Sequence, residues 1–334
     1  MKRIAIEEAF VTPEISEEWK KVLGSKNVEP GFREMGKTIH GDNPGTQMVH
    51  ARLLDLGAGR IAHMDATGIA VQVLSLTAPG VQVFDAITGA ALAKQANDRL
   101  AEAVRNYPTR FAGLAAIAPQ HPESAAREME RVISNLNLKG SIINSHTMGE
   151  YLDDPKYWAI FEAAESLGAP IYLHPREPAP GMVQPYLDYG LYFAGWGFAA
   201  EGGLHAMRLI MGGVFDRFPK LKIILGHMGE GIPFWLQRID NRYLLQVRIG
   251  AVNKMPRLPS EYFKDNFVIT TSGVTHHGVL KLMLEVLGPE RILFAADHPY
   301  ESTEEAVTFM DTAPLTEEDR KKIYEQNATK LLKL

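Results

Sequence analysis

Short apolar runs recur along the chain, at roughly residues 3–8, 70–76, 111–117, 139–145, 169–174, 222–227, 267–272 and 292–297. Runs of this length, bounded by Gly or Pro, predict strands buried on both faces, as in a parallel sheet. Between most of them apolar residues return at helical spacing, over 85–106, 123–136, 155–167, 201–218 and 274–287. Alternating strand and helix predicts a parallel sheet with helices outside. Eight such units predict an α/β fold closed into a (β/α)8 barrel, a TIM barrel, with residues 1–334 as a single catalytic domain. An open doubly wound sheet is the alternative, but no glycine-rich GxGxxG follows the first strand.

Two segments break the alternation. Residues 11–50 carry Pro13, Pro30 and Pro44 with several Gly, and read as a long loop or insertion after the first strand. Residues 175–200 carry Pro175, Pro178, Pro180 and Pro185 among Tyr186, Tyr189, Tyr192, Phe193, Trp196 and Phe198. Long loops at the C-terminal face of a barrel build its substrate pocket. An aromatic-rich one suits a flat aromatic substrate, and a packing loop or subunit interface is the plainer reading. Residues 316–334 read as one or two short closing helices.

The polar residues that follow the apolar runs carry the chemistry. Glu7 ends the first run, His174 the fifth, His227 the sixth and Asp297 the eighth. Each alone is a weak signal, since a lone strand-end His is more often structural. In a barrel, strands one and eight are neighbours and strand five lies across from them, so Glu7, His174 and Asp297 can converge on one cation. Two carboxylates and an imidazole suit Mn²⁺, Zn²⁺ or Mg²⁺, and three protein ligands leave positions open for water or substrate. Glu230 begins the helix expected after His227. It either orients that imidazole as a general base or is an ordinary helix N-terminal Glu beside a satisfied His. Arg52, Arg176 and Arg238 are the cations that could meet a substrate carboxylate, with surface salt bridging as the alternative for each. His205 lies in an apolar helical pattern and reads as core.

Composition narrows the classes. A hydrophobic fraction of 46% and a charged fraction of 22% are ordinary for a globular enzyme. A net charge of −5 favours neither nucleic acid nor an anionic membrane as partner. With no cysteine, disulfides and thiolate ligands are excluded, so a metal site must use His, Asp and Glu. The N-terminus lacks the apolar region of a signal peptide, and no stretch approaches the ~18 apolar residues of a membrane span. A soluble cytoplasmic protein is the expectation.

Taken together, these segments resemble the amidohydrolase superfamily and, within it, the metal-dependent aromatic acid decarboxylases. That group acts on 5-carboxyvanillate, 2,3-dihydroxybenzoate, γ-resorcylate and salicylate. The resemblance runs through Arg3-Ile-Ala-Ile-Glu-Glu-Ala-Phe10, His63-Met-Asp-Ala-Thr-Gly-Ile69, Ala78-Pro-Gly-Val-Gln82 and Ile143-Asn-Ser-His-Thr147. It continues through Tyr172-Leu-His-Pro175, Ile224-Leu-Gly-His-Met-Gly-Glu230, Thr271-Ser-Gly273 and Leu293-Phe-Ala-Ala-Asp297. Arg52-Leu-Leu-Asp-Leu-Gly57 and Asn144-Ser-His-Thr147 look most like the 5-carboxyvanillate branch.

The resemblance implies an amidohydrolase-type barrel with one divalent metal, Mn²⁺ or Zn²⁺ ahead of Mg²⁺, held by Glu7, His174 and Asp297. It implies catalytic roles for Asp297 as proton donor and for His227 with Glu230 behind it. It implies non-oxidative decarboxylation of an ortho-hydroxybenzoate, with Arg238, Arg176, Phe198 and Arg52 as the residues expected around a small aromatic carboxylate. Relatives are usually dimers or tetramers, so a homodimer or homotetramer is expected. The alternative reaction is hydrolysis by a metal-activated water, as in lactonases and amidohydrolases. Two departures stand out. Many relatives have a second ligand His two residues after the first-strand Glu, where this chain has Ala9, which argues against the binuclear hydrolytic members. The 5-carboxyvanillate enzymes use an arginine upstream of the Arg52–Gly57 segment, where this chain reads Asn43-Pro-Gly-Thr46.

Overall fold

The computed structural model describes all of residues 1–334. Eight strands form one sheet in sequence order: β1 (Ile4–Phe10), β2 (Val71–Leu76), β3 (Phe111–Ala116), β4 (Ser141–Asn144), β5 (Ile171–His174), β6 (Ile223–Leu225), β7 (Phe267–Thr270) and β8 (Ile292–Leu293). Every neighbouring pair is parallel. The last strand meets the first through Ile6 N–H to Phe294 O at 3.1 Å and Ala9 N–H to His298 O at 2.8 Å. The expected (β/α)8 barrel is the architecture found, with β1 extending two residues past its apolar run and the other strands somewhat shorter than theirs.

Two apolar cores explain why the runs are apolar on both faces. Ile4, Ile6, Val73, Leu114, Ile142, Tyr172, Ile224, Val268 and Leu293 fill the barrel interior. A larger cluster, with Ala5, Leu74, Ala115, Ile143, Leu173, Leu225 and Ile269, packs the outer strand faces against the helices. The alternation of inner and outer residues follows the two-residue strand period. It breaks once. Between Ala5 and Glu8 the β1–β2 register slips, so that three steps on β1 match two on β2, a β-bulge. Bulges re-aim side chains beside active sites. Here Glu7 meets His174 and Thr270 across the barrel, while Glu8 faces Gln72 and the Ala296 N–H.

The segment 11–50 corrects the sequence reading. It is not a loop but three helices, α1 (Pro13–Leu23), α2 (Pro30–Ile39) and α3 (Pro44–Leu54). Each begins on a proline, which at the first helical position loses only an N–H that has no partner anyway. Thr12 Oγ1 and Asn43 Oδ1 accept the N–H groups of Ile15 and Thr46, the usual work of N-caps. The prolines that suggested irregular chain are helix starts. Residues 175–196 are mostly turns with one short helix, Gln184–Leu187, and the expected helix at 201–218 starts earlier, running Gly197–Met211.

His205 lies in that last helix and is fully buried. Leu152 N–H donates to its Nε2 at 3.0 Å, so Nδ1 carries the proton toward Ser145 Oγ at 3.1 Å, and that hydroxyl donates to Glu201 at 3.0 Å. The chain ties the end of β4 to the helix beside the pocket. Burial, then the charge of Arg208, pushes the imidazole down to about 3. A depressed histidine contributes stability that is complete above the unfolded value near 6.5 and is lost as pH falls toward the folded one. Between these limits the loss runs at about 1.4 kcal/mol per pH unit. His205→Gln is expected to unfold more easily at pH 7. Its deficit against the parent should shrink between pH 6.5 and 4, read by urea unfolding at several pH values. Parallel curves would remove this account of His205.

Candidate functional site

The middle of β1 and the C-terminal ends of β5, β6 and β8 bring Glu7, His174, His227 and Asp297 together. One ligand atom each of Glu7, His174 and Asp297 lies within 4.8 Å of the others. Glu7 is 3% exposed. Its Oε2 accepts the Thr270 hydroxyl at 2.9 Å, while its buried Oε1 has no hydrogen-bond partner. Oε1 faces His174 Nε2 at 3.4 Å and His227 Nε2 at 3.5 Å. Burial drives the Glu7 carboxyl upward, yet the charges of His227 and His174 outweigh it and hold the group below the usual carboxylate range. An orphaned buried oxygen beside two further donors is the demand a cation meets. The set of two carboxylates and one imidazole fits Mn²⁺ or Zn²⁺.

His227 belongs to an unusual turn. His227, Met228, Gly229, Glu230 and Gly231 all have positive φ, from 49° to 77°. Left-handed backbone costs about 1–2 kcal/mol per non-glycine residue. The turn is held by Gly229 N–H to Gly226 O at 2.7 Å and by His227 N–H to Ser272 Oγ at 3.1 Å. It brings Glu230 Oε1 within 2.7 Å of His227 Nδ1, leaving Nε2 for the pocket. Nε2 lies 3.6 Å from Asp297 Oδ2. Burial alone would lower the His227 imidazole, but Glu230 and then Glu7 raise it well above its ordinary value. Glu230 thus sits in this turn, one residue before the helix Ile232–Arg248 rather than within it. Gly226 lets the strand end approach the site, because a Cβ there would sit 2.9 Å from the Tyr172 hydroxyl and 3.1 Å from Glu7 Oε1.

A cavity of about 330 Å³ opens above these groups. Met35, Ile39, Val49, Leu53, Phe193 and Phe198 supply apolar wall, so Phe198 stands where a ring would lie. The polar remainder is Thr38, Asn43, Thr46, Thr77, Tyr300 and Glu301 together with His174, His227 and Asp297. The Tyr300 hydroxyl is 2.7 Å from Thr77 Oγ1. Burial, then Asp297, raises the Glu301 carboxyl.

The structure does not bring the three arginines named from the sequence into this pocket. Arg176 is fully buried, and its Nη2 pairs with Glu29, at the start of α2, and with Glu177. His146 completes a second cluster of potential ligands with these two glutamates, but the Arg176 guanidinium already supplies its positive charge. Arg238 is exposed and lines an outer cleft with Trp196, Trp235 and the far side of Glu230. Arg52 is exposed on α3, while its neighbour Leu53 reaches the cavity. A helix turns successive side chains by about 100°, so adjacency in sequence did not place these cations. Tyr300, Glu301, Thr77 and the residues of α2 and α3 were missed. Tyr300 and Glu301 were within reach of sequence reasoning, since they lie three and four residues after Asp297 on the loop after β8.

Metal binding has a direct readout. A cation bound only by the folded protein stabilises it by about 2.7 kcal/mol when present at 100 times its dissociation constant. Mn²⁺ is expected to raise the melting temperature of the chelator-treated protein and to leave that of Glu7→Gln unchanged. An equal rise in both would place the cation elsewhere.

Comparison with known proteins agrees with this geometry. Residues 49–334 match the amidohydrolase family. The chain is 40% identical over 300 residues to the γ-resorcylate decarboxylase of Polaromonas sp. (strain JS666), covering 86% of this chain and 90% of that protein. The crystal structure of 5-carboxyvanillate decarboxylase from Sphingomonas paucimobilis superposes with a TM-score of 0.96 at 44% identity, over 100% of this chain and 99% of that one. The dihydroxybenzoic acid decarboxylase of Polaromonas sp. JS666, solved with bound manganese and the inhibitor 2-nitroresorcinol, superposes with a TM-score of 0.87 at 36% identity, over 100% and 97% of the two chains. The protein belongs to the amidohydrolase family, on the branch that holds the γ-resorcylate and 5-carboxyvanillate decarboxylases.

Proposed function

We propose that the protein is a metal-dependent, non-oxidative decarboxylase of an ortho-hydroxybenzoate, acting as a single barrel domain over residues 1–334. The observation that carries this reading is the convergence of Glu7, His174 and Asp297 with the His227–Glu230 pair at the floor of a cavity walled by apolar side chains. Glu7, His174 and Asp297 would hold one divalent ion, Mn²⁺ or Zn²⁺. When bound, that ion offsets the charge of the substrate carboxylate and phenolate and fixes the ring.

The chain's own groups supply the rest. A free aryl carbanion is too costly, so the ring carbon bearing the carboxylate is protonated before the bond to CO2 breaks. Asp297 donates that proton. As CO2 leaves, the electrons of the broken bond return to the ring and restore aromaticity. His227 presents Nε2 to the pocket, 3.6 Å from Asp297 Oδ2, where it hydrogen-bonds the substrate, passes its proton to Asp297 and is reprotonated by the substrate phenol. Glu230 fixes the tautomer from behind, and Phe198 with Phe193 packs the ring and excludes water. Hydrolysis has no observation of its own in its favour, and it transfers no solvent hydrogen to ring carbon.

Asp297→Asn is expected to lose about 10³-fold in kcat, within the range for a positioned acid. Turnover of the parent in D2O should leave one deuterium at the carbon that lost CO2, read by NMR. A variant with near-parental rate would remove Asp297 from the proton step. A carboxylate-retaining product would remove decarboxylation itself.

A homo-oligomer, dimer or tetramer, completes the reading. It is supported by exposed Trp196, Phe234, Trp235 and Ile249, 50% to 68% accessible, clustered about the helix Ile232–Arg248. No helix is long and apolar enough to cross a membrane, and the cytoplasm is the proposed location.

A further inference from the structure

We propose that Glu8 is a positioning residue for Asp297. It takes the Ala296 N–H on one carboxylate oxygen and so fixes the backbone step that turns Asp297 toward the cation site. Asp297 enters as a metal ligand on the decarboxylase reading, whereas the contact between Glu8 and Ala296 does not depend on it.

The sheet ends too early to hold this step. β8 stops at Leu293, and the next three amides find partners outside the strand ladder. Phe294 N–H donates to Ile323 O at 3.1 Å, Ala295 N–H to Thr271 Oγ1 at 3.0 Å and Ala296 N–H to Glu8 Oε1 at 3.0 Å. Ala296 is fully buried, so without Glu8 its N–H would be left unpaired. Asp297 follows at once with a φ of 59°, an angle a non-glycine residue keeps only where its surroundings impose it. The bulge in β1 therefore divides the Glu7–Glu8 pair. Glu7 meets the cation site directly, and Glu8 holds the chain that delivers the second carboxylate.

Hydrogen-bond direction explains why position 8 carries a carboxylate. Arg60 Nη1 donates to Gln72 Oε1 at 3.3 Å, and Gln72 Nε2 donates to Glu8 Oε2 at 2.9 Å. A guanidinium and a backbone N–H can only donate. The row runs from Arg60 on one side and from Ala296 on the other, and it meets at Glu8, which accepts on both oxygens. Burial pushes the Glu8 carboxyl up to about 8, against the pull of the Ala296 N–H and of Arg60. A proton on either oxygen would face an N–H donor, so the geometry favours the carboxylate. A glutamine at position 8 offers one acceptor and one donor. Its amide would then oppose that of Gln72, and flipping Gln72 would only move the clash of donors to Arg60. Exchanging the two groups, Glu8→Gln with Gln72→Glu, removes the clash. Position 72 then accepts from Arg60 and from the amide at position 8, whose oxygen still takes the Ala296 N–H.

The parent, Glu8→Gln, Gln72→Glu and the exchanged double are compared as full-length, chelator-treated proteins. Hydrogen exchange over 294–301 reads the anchor, and calorimetric titration with Mn²⁺ reads its consequence. Glu8→Gln is expected to speed exchange there about 10-fold and to weaken Mn²⁺ about 10-fold, the scale of one hydrogen bond to a charged acceptor. The double should bring both back to within about threefold of the parent, although it keeps the amide at position 8. Gln72→Glu alone adds a charge but sets two carboxylates face to face, and it should not tighten Mn²⁺. Tighter binding in that variant would make net charge the cause and overturn the assignment. So would parental Mn²⁺ affinity in Glu8→Gln despite faster exchange, which leaves Glu8 a structural anchor only, or a double no better than Glu8→Gln. If Glu8→Gln does not fold, the double decides: folded with parental affinity it supports the role of Glu8, and unfolded it removes it. If the parent binds no Mn²⁺ while exchange is lost and rescued as expected, the cation reading fails and the hold of Glu8 on the Asp297 backbone stands. If the parent binds Mn²⁺ and neither readout moves in Glu8→Gln, the cation reading stands and the role of Glu8 falls.

Discussion

The architecture of the site follows from one costly residue. Glu7 is a carboxylate in the middle of β1 with almost no access to water and with one oxygen unpaired. A buried, unpaired ion is among the most expensive groups a fold can carry. The surroundings are arranged around that cost. Thr270 covers one oxygen, two imidazoles stand 3.4 and 3.5 Å from the other, and Gly226 contributes no side chain that would push in. None of this is explained by packing, since an apolar residue at position 7 would continue the interior layer begun by Ile4 and Ile6. A fold keeps such an arrangement where a cation completes it.

Backbone strain falls in the same place. Positive φ at non-glycine residues occurs at eight positions, and four of them, His227, Met228, Glu230 and Asp297, lie at the site. Each is held by contacts that fix the angle: Ser272 on the His227 N–H, Gly226 O on the turn, and the Tyr300 and Glu301 N–H groups on Asp297 O. Strained angles that persist where candidate functional groups converge are a mark of preorganisation. The gain is direction. The left-handed turn folds Glu230 back under His227, which an ordinary helix start could not do, and so one ring nitrogen is committed to the carboxylate while the other faces the pocket.

Much of this was legible in the sequence, for a physical reason. Barrel strands are buried on both faces, so they show as uninterrupted apolar runs, and the first polar residue after a run marks the rim. Glu7, His174, His227 and Asp297 were visible in that way. What was not legible depended on direction rather than position. The bulge that turns Glu7 rather than Glu8 toward the cluster is a one-residue slip in pairing with β2, and the pattern Ile-Glu-Glu-Ala is silent about it. Arg52, Arg176 and Arg238 were near the pocket in sequence but point elsewhere. The prolines of 11–50 were read as breakers, although Thr12-Pro13 and Asn43-Pro44 are cap and first-turn pairs and could have been read as helix starts.

The fate of the arginines explains the character of the pocket. Arg60 is 2% exposed and spends its guanidinium on Asp55 O, Arg52 O and Ala9 O and on Gln72, whose amide in turn holds Glu8. Arg176 ties α2 to the end of β5 through Glu29 and Glu177. Both cations brace the walls: Arg60 binds the first strand to the chain that follows α3, and Arg176 binds the helical insertion to the strand that carries His174. A guanidinium with several rigid acceptors in a dry interior is a strong brace, because its planar fork loses little freedom on binding. The same use removes it from substrate recognition. With the buried arginines committed to structure, a cation held by Glu7, His174 and Asp297 would be the place where a substrate carboxylate meets positive charge. Substrate affinity would then depend on metal affinity, with the apolar walls of α2, α3 and Phe198 selecting for shape.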